Sequence, residues 1–522
     1  MKAALICFMC ACFLLTGCGY PVQQEKNSGR YAQPYSSSLH GKKILLIPLD
    51  SRPVNTDYIS LLAKIGGATV NFPHQGLDRF GRYANYEKIK KFLLAHISEC
   101  DVVFIGIPEW LNGGIIAGRQ VSTYTKNAYR LQELKSILKK YPKKKVYAIN
   151  LIPRELPASS SPAFKYHHEI VVYGRRYNQY LTAKTADEKK RIQNIMSDIR
   201  KLVPRVYVED YVRLFEQNMR VQRELAGWVK EGIIKEMLIG MDDTSSMGLP
   251  KVWERRLQHF ITENHLSNVH VMTGADDLTC LLLARYKNES THTGSRYIVT
   301  FSNEREKNNV LAYDGKPLNQ VIQEKIRFLQ PDPPADVSAP IYVYVHSQDE
   351  TLDRVDRWAN GNPHAIKGVA DVVSSVSGDT TWMENFLRQN LEQKVESYSA
   401  WNTSGNTLGL LLSHLEMIRD QPTWNEANEK WLITRYIEDY YFNIIKRAEY
   451  VKKYASPDRL TRQEQDQICE EVKTRSNVFI RTLTFETMHG GEKRIKKPSF
   501  IVERAALPWG RIFEIHYRFR HL

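Results

Sequence analysis

The sequence predicts an α/β fold in which a TIM-barrel-like parallel α/β domain is followed by a β-rich C-terminal extension. Three features indicate it. Short continuous apolar runs alternate with helical stretches, polar turns follow directly after the apolar runs, and the spacing of apolar residues changes only near the C-terminal end. Continuous apolar runs between helices are typical of parallel sheets, because both faces of each strand are buried there.

Ten apolar runs have the length and composition of buried strands. In chain order they are residues 44–49, 68–72, 101–107, 145–151, 236–241, 268–273, 296–301, 340–345, 368–373 and 396–400. A closed barrel of this class needs eight strands. We therefore expect some of the ten runs to be hairpins or additions to the barrel.

Helices are predicted between the strands wherever apolar residues recur with helical spacing. They cover residues 58–64, 86–97, 127–140, 185–202, 208–231, 252–264, 407–417 and 429–450, with a further helix from 278. Residues 155–185 contain two prolines and a stretch rich in Tyr and His, and are predicted to be irregular. Alternating runs at 478–485, 499–507 and 511–519 predict antiparallel strands.

The N-terminal 18 residues have the pattern of a secretory signal, with a basic start and an apolar run too short to span a membrane. The run ends Leu15-Thr16-Gly17-Cys18, which resembles the bacterial lipoprotein processing box. This resemblance implies cleavage before Cys18, lipidation of that cysteine, and anchoring on the extracytoplasmic face of the cell membrane. The alternative is an ordinary signal peptide with an incidental cysteine.

The rest of the chain is divided by composition. Residues 19–40 are polar, which predicts a flexible tether. Residues 41–450 form the predicted barrel-like catalytic domain, and residues 451–522 form a helical and then β-rich extension. Outside the signal and the lipidated position, the cysteines are too far apart for a disulfide framework or a zinc site. Buried free thiols are expected, and a single bridge is the alternative.

The chain is basic, with 73 Lys and Arg against 58 Asp and Glu and a formal net charge of +15. Either these charges are solvated helix ends and loops, or they attract the protein to an anionic envelope of membrane lipid or wall polymer. No nucleic-acid recognition motif, phosphate-binding loop or dinucleotide-binding loop is found. We therefore expect neither nucleic acid as a partner nor a cofactor.

Polar residues cluster in the turns after the predicted strands. Strand C-termini of a parallel α/β fold share one edge, where ligands bind. The candidate substrate-binding residues in or near these turns are Asp50, Arg52, Asn55, Asn112, Arg119, Arg154, Asp276, Asp371, Trp401, Asn402 and Asn406. The candidate catalytic residues are Asp242 and Asp243. Together they predict one site rich in carboxylates and amides, and hence an enzyme.

The aspartate pair suits acid/base chemistry. A second carboxylate crowded into a poorly hydrated site raises one pKa, so one group can orient the substrate while the other transfers a proton. The structural alternative is a turn in which Asp243 caps the next helix. Trp401 offers an apolar face for a sugar ring and Asn402 offers amide hydrogen bonds, although the same segment also suits a helix N-terminus.

Several of these segments are shared with one known group of proteins. They include the runs at 48–55, 240–243, 274–276, 369–371, 401–409 and 507–514. On these motifs the chain resembles the bacterial domain of unknown function family 4127, over roughly residues 42 to 520. The resemblance implies little about function.

A weaker resemblance concerns mechanism. An Asp-Asp pair at a strand end, followed later by Trp-Asn, is similar to substrate-assisted N-acetylglucosaminidases. The resemblance implies that Asp242 orients the substrate acetamido group, that Asp243 is the general acid/base, and that Trp401 and Asn402 hold the sugar.

We therefore expect a cell-surface lipoprotein that hydrolyses glycans containing amino sugars. One alternative is a metal-dependent phosphoesterase or deacetylase that uses Asp50, Asp242, Asp276 and His346. His167-His168-Glu169 is a second metal candidate, but it lacks the HExxH spacing. The other alternative is a non-catalytic lipoprotein that binds glycan or wall polymer.

Overall fold

The computed structural model describes residues 39–121, 124–159, 161–291, 294–330, 340–347, 353–361, 365–373, 379–419, 424–489 and 492–522. The predicted signal peptide, the lipidated Cys18 and nearly all of the tether lie outside the described residues. Among the helices that the structure describes, none has the length and apolar character needed to cross a membrane.

Six parallel strands form the larger sheet. They are β1 (Lys43–Ile47), β2 (Thr69–Asn71), β3 (Val102–Gly106), β4 (Lys145–Ile152), β5 (Glu236–Met241) and β6 (Val269–Thr273). Their order across the sheet is β2-β1-β3-β4-β5-β6. The direction in which strands are added reverses once, at β1, and ligand sites of open α/β sheets lie at such reversals.

Four further parallel strands form a second sheet. They are β7 (Tyr297–Phe301), β8 (Ile341–His346), β9 (Ile366–Asp371) and β10 (Ser397–Ser399). Their order is β10-β9-β8-β7, so each strand pairs with its neighbour in the chain. All ten predicted strands are therefore present and parallel, as their continuous apolar runs indicate.

The expected TIM-barrel-like closure is not confirmed, because among the described residues the ten strands form two separate sheets. Strand β6 pairs with β5 and, within the part of the chain that the structure describes, has no hydrogen-bonded partner in the smaller sheet. The central feature of the fold is thus the parallel six-stranded sheet, and the β-rich part at the C-terminus is small.

Helices cover both sheets. In chain order they are α1 (Asp57–Ile65), α2 (Tyr86–His96), α3 (Ile107–Leu111), α4 (Tyr124–Lys139), α5 (His167–Thr182), α6 (Ala186–Leu202), α7 (Arg205–Lys230), α8 (Pro250–Glu263), α9 (Leu278–Thr291), α10 (Leu318–Leu329), α11 (Asp353–Gly361), α12 (Thr380–Arg388), α13 (Ser404–Arg419), α14 (Glu426–Thr434), α15 (Arg447–Lys453) and α16 (Arg462–Ile480). A π-helix, Arg435–Lys446, lies between α14 and α15.

Two helices explain why the sheets stay apart. Helix α9 packs on β4 and β5 of the larger sheet, helix α13 packs on β9 and β10 of the smaller one, and the two helices pack against each other. Nearly every residue of both helices is buried, which is typical of helices enclosed on all sides. Their apolar side chains share one core with alternate residues of β1, such as Ile44 and Leu46, while Leu45 and Ile47 face a different core.

Two local predictions are wrong. The segment predicted to be irregular contains helix α5, whose residues Ile170 and Tyr173 are buried on one face; burial of that face outweighs the local composition. The strand predicted at 478–485 is instead the end of α16 followed by a turn. The extension contains the antiparallel pairs β11 (Phe485–His489) with β12 (Glu492–Lys496) and β13 (Phe500–Ala506) with β14 (His516–His521).

Candidate functional site

Polar residues from the turns after five strands meet at the C-terminal edge of the six-stranded sheet. The turn after β1 packs directly against the end of β3, where a Cβ on Gly106 would lie 2.3 Å from the carbonyl oxygen of Pro48. Glycine is required for so close an approach. The side chains brought together, called here the arginine–aspartate cluster, are Asp50, Arg52, Arg119, Arg154, Asp242, Asp243 and Asp276.

Arg52 joins the turns after β1 and β6. Its Nε donates to Oδ2 of Asp50 over 2.8 Å, and its two terminal nitrogens donate to the two oxygens of Asp276 over 3.2 and 2.5 Å. Asn55 Nδ2 donates to Oδ1 of Asp50 over 2.9 Å. Burial would lower the pKa of Arg52, but Asp276 and Asp50 outweigh it and raise that pKa well above its usual value.

The turn that carries Asp276 is held by a side chain from α13. Oδ1 of Asn406 accepts hydrogen bonds from the backbone N–H groups of Ala275 and Asp276, both over 3.1 Å. The next residue, Asp277, is buried and accepts from Lys325 Nζ over 2.5 Å. Asn406 and Asp277 therefore position Asp276 and fix the start of α9.

The predicted catalytic pair follows β5. Oδ2 of Asp242 accepts from Arg119 over 2.6 Å, and Arg154 lies 3.8 Å from Oδ2 of Asp243. The side chain of Asp243 is 34% exposed and that of Asp242 only 11%, so Asp243 is the one that solvent reaches. The backbone N–H of Glu155 donates to the carbonyl oxygen of Asp243 over 3.0 Å, which ties this turn to the turn after β4.

The two aspartates differ in acidity. Burial alone would raise the pKa of Asp242, but Arg119 and Arg154 outweigh it and hold that pKa below its usual value. Burial and the negative charge of Asp242 raise the pKa of Asp243 to about 6, against the opposing effect of the two arginines. Burial also raises the pKa of Asp276, although Arg52 opposes that effect. The pair thus combines an ionised carboxylate with a neighbour that holds its proton up to about pH 6.

The C-terminal segment 508–514 completes the site. Trp509 Nε1 donates to the hydroxyl of Ser51 over 2.8 Å, and the indole lies 5.5 Å from the Arg52 guanidinium carbon. Glu514 is buried, and burial raises its pKa to about 7 against the effect of Arg52 and Arg511. The sequence prediction did not assign these residues to the site, although the run at 507–514 was among the motifs that indicated the family.

Two buried acids below the turn after β1 were also missed. Asp78 accepts from the backbone N–H of Ser51 over 2.8 Å, and its own N–H donates to Oε1 of Glu109 over 3.0 Å. Burial, with a contribution from Asp50, raises the pKa of Asp78 to about 8; burial and Asp78 raise that of Glu109. Glu109 follows the predicted strand 101–107 by two residues, so the strand-end pattern could have indicated it, whereas Asp78 comes six residues after the predicted strand 68–72.

The structure places the other predicted site residues as follows. Asp371 is at the end of β9, where it accepts from the backbone N–H of Asp379 over 3.1 Å. Trp401 is only 2% exposed and packs in the apolar core between the sheets. Asn402 has a left-handed backbone with φ of 65°, and Asn112 ends helix α3.

Of the residues proposed as metal ligands, Asp50, Asp242 and Asp276 lie in the arginine–aspartate cluster and His346 belongs to another strand end. Asp50 and Asp276 are occupied by Arg52, and His346 lies at the end of β8 in the other sheet, stacked on Trp382. Within the described ranges, no three His, Cys, Asp or Glu side chains are arranged to hold a metal ion. His167, His168 and Glu169 begin helix α5. The three described cysteines, Cys100, Cys280 and Cys469, are free thiols.

Comparison with known families gives one match. The pattern of the family described as "Protein of unknown function (DUF4127)" covers residues 44–518, which is nearly the whole chain. Neither the curated proteins nor the solved structures give a match.

Proposed function

The chain belongs to the family described as "Protein of unknown function (DUF4127)", and from that premise we propose that it is a cell-surface lipoprotein that hydrolyses glycans containing amino sugars. The observation that supports this proposal most directly is the opposite pKa shift of two adjacent aspartates. Asp242 is held ionised by Arg119, whereas Asp243 is partly exposed and keeps its proton up to about pH 6. Glycosidases use such a division between an ionised and a protonated carboxyl group.

The proposed reaction has two steps. Asp243 donates its proton to the leaving glycosidic oxygen while the acetamido oxygen of the substrate attacks the anomeric carbon, and the C–O bond to the leaving group breaks. The ionised Asp242 accepts a hydrogen bond from the acetamido N–H and stabilises the positive charge that develops on that group. In the second step Asp243 removes a proton from water, the water oxygen bonds to the anomeric carbon, and the acetamido group is released.

In this proposal, substrate is bound by Arg52 of the cluster and by residues next to the cluster. Arg52 and Asn55 are fixed by Asp50, so their remaining polar edges are held in one geometry. Trp509 is partly exposed beside Arg52 and offers an aromatic face for a sugar ring. Trp401 is covered by the core, so stacking on its ring requires that the segment around it opens.

The predicted lipid anchor fits a glycan or wall-polymer substrate, because it places the site outside the cytoplasm. In the proposal, lipidated Cys18 holds the chain on the outer face of the membrane. Metabolic labelling with a fatty acid tests this: the wild-type chain incorporates label, and a Cys18→Ala variant does not. Equal labelling of both chains would reject Cys18 as the anchor.

Turnover is tested on the full chain, purified in mild detergent, with a panel of chromogenic glycosides that includes N-acetylamino sugars. The comparison is with Asp243→Asn, which removes the acid, and with Asp198→Asn, which removes an exposed aspartate on α6. We expect Asp243→Asn to lower the rate by a factor of about 10² or more. Wild-type and Asp198→Asn proteins should be equally active.

A wild-type rate for Asp243→Asn would reject the acid assignment. If none of the three folded proteins cleaves any glycoside of the panel, the non-catalytic alternative is favoured, in which the same cluster binds glycan without cleaving it. Activity that is lost with a stoichiometric metal on chelation would instead favour the metal-dependent phosphoesterase or deacetylase.

A further inference from the structure

Arg511 is held by three aromatic rings at the edge of the arginine–aspartate cluster. Its guanidinium carbon lies 5.2 Å from the ring centre of Phe80, 4.9 Å from that of Trp509 and 4.6 Å from that of Phe513. Such rings stabilise a cation through their π faces, but they supply no oxygen acceptor for its N–H groups. The rings therefore hold the guanidinium in position without using its N–H groups.

The immediate surroundings of Arg511 do not neutralise it. Its Nε is buried without a hydrogen-bond partner. Among the residues that the structure describes, no carboxylate oxygen is paired with the guanidinium within ion-pairing distance; Glu514 and Asp458 attract it only from farther away. Burial and the positive charge of Arg52 lower the pKa of Arg511 to about 10, so it still carries its charge at neutral pH. A buried, unpaired donor of this kind is costly unless a ligand satisfies it.

Arg511 also lies beside the candidate catalytic residues. Trp509, which contacts Arg511, is hydrogen-bonded to Ser51 in the turn after β1. Arg511 and Arg52 repel each other electrostatically, and the positive charge of Arg511 also lowers the pKa of Arg154. Arg154 in turn lies 3.8 Å from Oδ2 of Asp243. A ligand bound at Asp243 would therefore lie within electrostatic reach of Arg511.

We propose that Arg511 binds a negatively charged oxygen group of the substrate, a carboxylate or a phosphate ester, so that the natural substrate is an acidic glycan. This inference rests on the proposed function where it identifies the bound anion as part of the substrate. Anion binding itself does not depend on turnover. A planar guanidinium held rigidly pairs with both oxygens of a carboxylate or phosphate.

Binding is measured by titration calorimetry on the full chain in detergent, with sodium glucuronate and inorganic phosphate as separate probes. The test variant is Arg511→Met, which keeps an apolar stem between the rings. The control is Arg520→Met, which removes an exposed arginine of the same C-terminal segment. We expect saturable binding of at least one probe, weakened at least tenfold by Arg511→Met and unchanged by Arg520→Met.

The two probes separate the sources of the charge, because preference for glucuronate indicates an acidic sugar and preference for phosphate a phosphorylated one. If the wild type binds neither probe, or if Arg511→Met binds both as tightly as the wild type does, the proposal is overturned. Should Arg511→Met fail to fold, Arg511→Lys replaces it, and a loss of at least threefold is expected because an ammonium group cannot pair bidentately. Turnover on the glycoside panel tests the proposed function independently of these results.

Discussion

Arg119 Nη2 donates to Oδ2 of Asp242 over 2.6 Å, although the two residues are 123 positions apart in the chain. This ion pair, together with Arg154, keeps the pKa of Asp242 below its usual value although the side chain is buried. It therefore decides which member of the aspartate pair is ionised. The first two expectations below follow from it.

Replacing Arg119 with Met removes the charge that keeps Asp242 ionised. The two aspartates then compete for one proton, and the pKa of Asp242 rises. If Asp242 orients the acetamido group, kcat/KM for an N-acetylamino glycoside should fall at least tenfold. Arg191→Met, on the exposed face of α6, is the matched control and should leave kcat/KM unchanged. Equal rates in both variants would exclude an electrostatic role for Arg119.

The pH dependence of kcat should follow Asp243. Its pKa is raised to about 6, so the acid form that protonates the leaving group is present below pH 6 and is lost as the pH rises through that value. On the acid side, activity should persist down to the lowered pKa of Asp242. A kcat profile recorded from pH 3 to pH 9 checks this. A rate that rises from pH 5 to pH 8 would contradict Asp243 as the acid.

Replacing Arg52 with Met leaves Asp50 and Asp276 buried without their shared cation. Loss of one partner of a buried ion pair costs about 3–5 kcal/mol. The loss should be larger at pH 8 than at pH 5. Burial already raises the pKa of Asp276, and without Arg52 this pKa rises further, so the folded variant binds an extra proton at low pH and loses that contribution as the pH rises. Urea unfolding at both pH values measures it. Arg52→Lys keeps the charge and should lose less stability; identical losses in both variants would show that pairing geometry alone matters.

Asn406→Ala removes the acceptor for two buried backbone N–H groups in the turn that carries Asp276. Each unsatisfied group costs about 1–3 kcal/mol, so for two groups we expect a loss of about 2–6 kcal/mol in the free energy of unfolding. Thermal unfolding followed by circular dichroism measures the change. Asn194→Ala, at an exposed position of α6, should have almost no effect. Equal melting temperatures for the two variants would mean that water replaces the Asn406 side chain.

The strands were predictable because every parallel strand of this fold is a continuous apolar run. Their pairing was not, since the positions of β1 between β2 and β3 and of α9 and α13 between the sheets depend on contacts between distant segments. Closure into a barrel is one of several arrangements that bury the same runs, and the two separate sheets of the described residues do not confirm it.

Much of the cluster was predictable for a related reason: residues after parallel strands share one edge, which brings Asp50, Arg119, Asp242 and Asp276 together. Exposure was harder to predict. The Trp401 ring and the Trp509 ring look alike in sequence, yet the first is enclosed by the core and the second contacts the cluster. Arg511 was missed because it lies in the run predicted as an antiparallel strand at 511–519. The alternating pattern of such a strand does not indicate which other segments its ends contact.

The hydrogen bond from Trp509 to Ser51 spans 458 positions of the chain. During synthesis, the ribosome still holds the last few dozen residues after the first strand has been made. At that stage Trp509 and Arg511 are not yet in place beside the cluster. The site comes into existence only after synthesis ends. A nascent or C-terminally clipped chain that ends before Trp509 would lack its hydrogen bond to Ser51 and its ring beside Arg52.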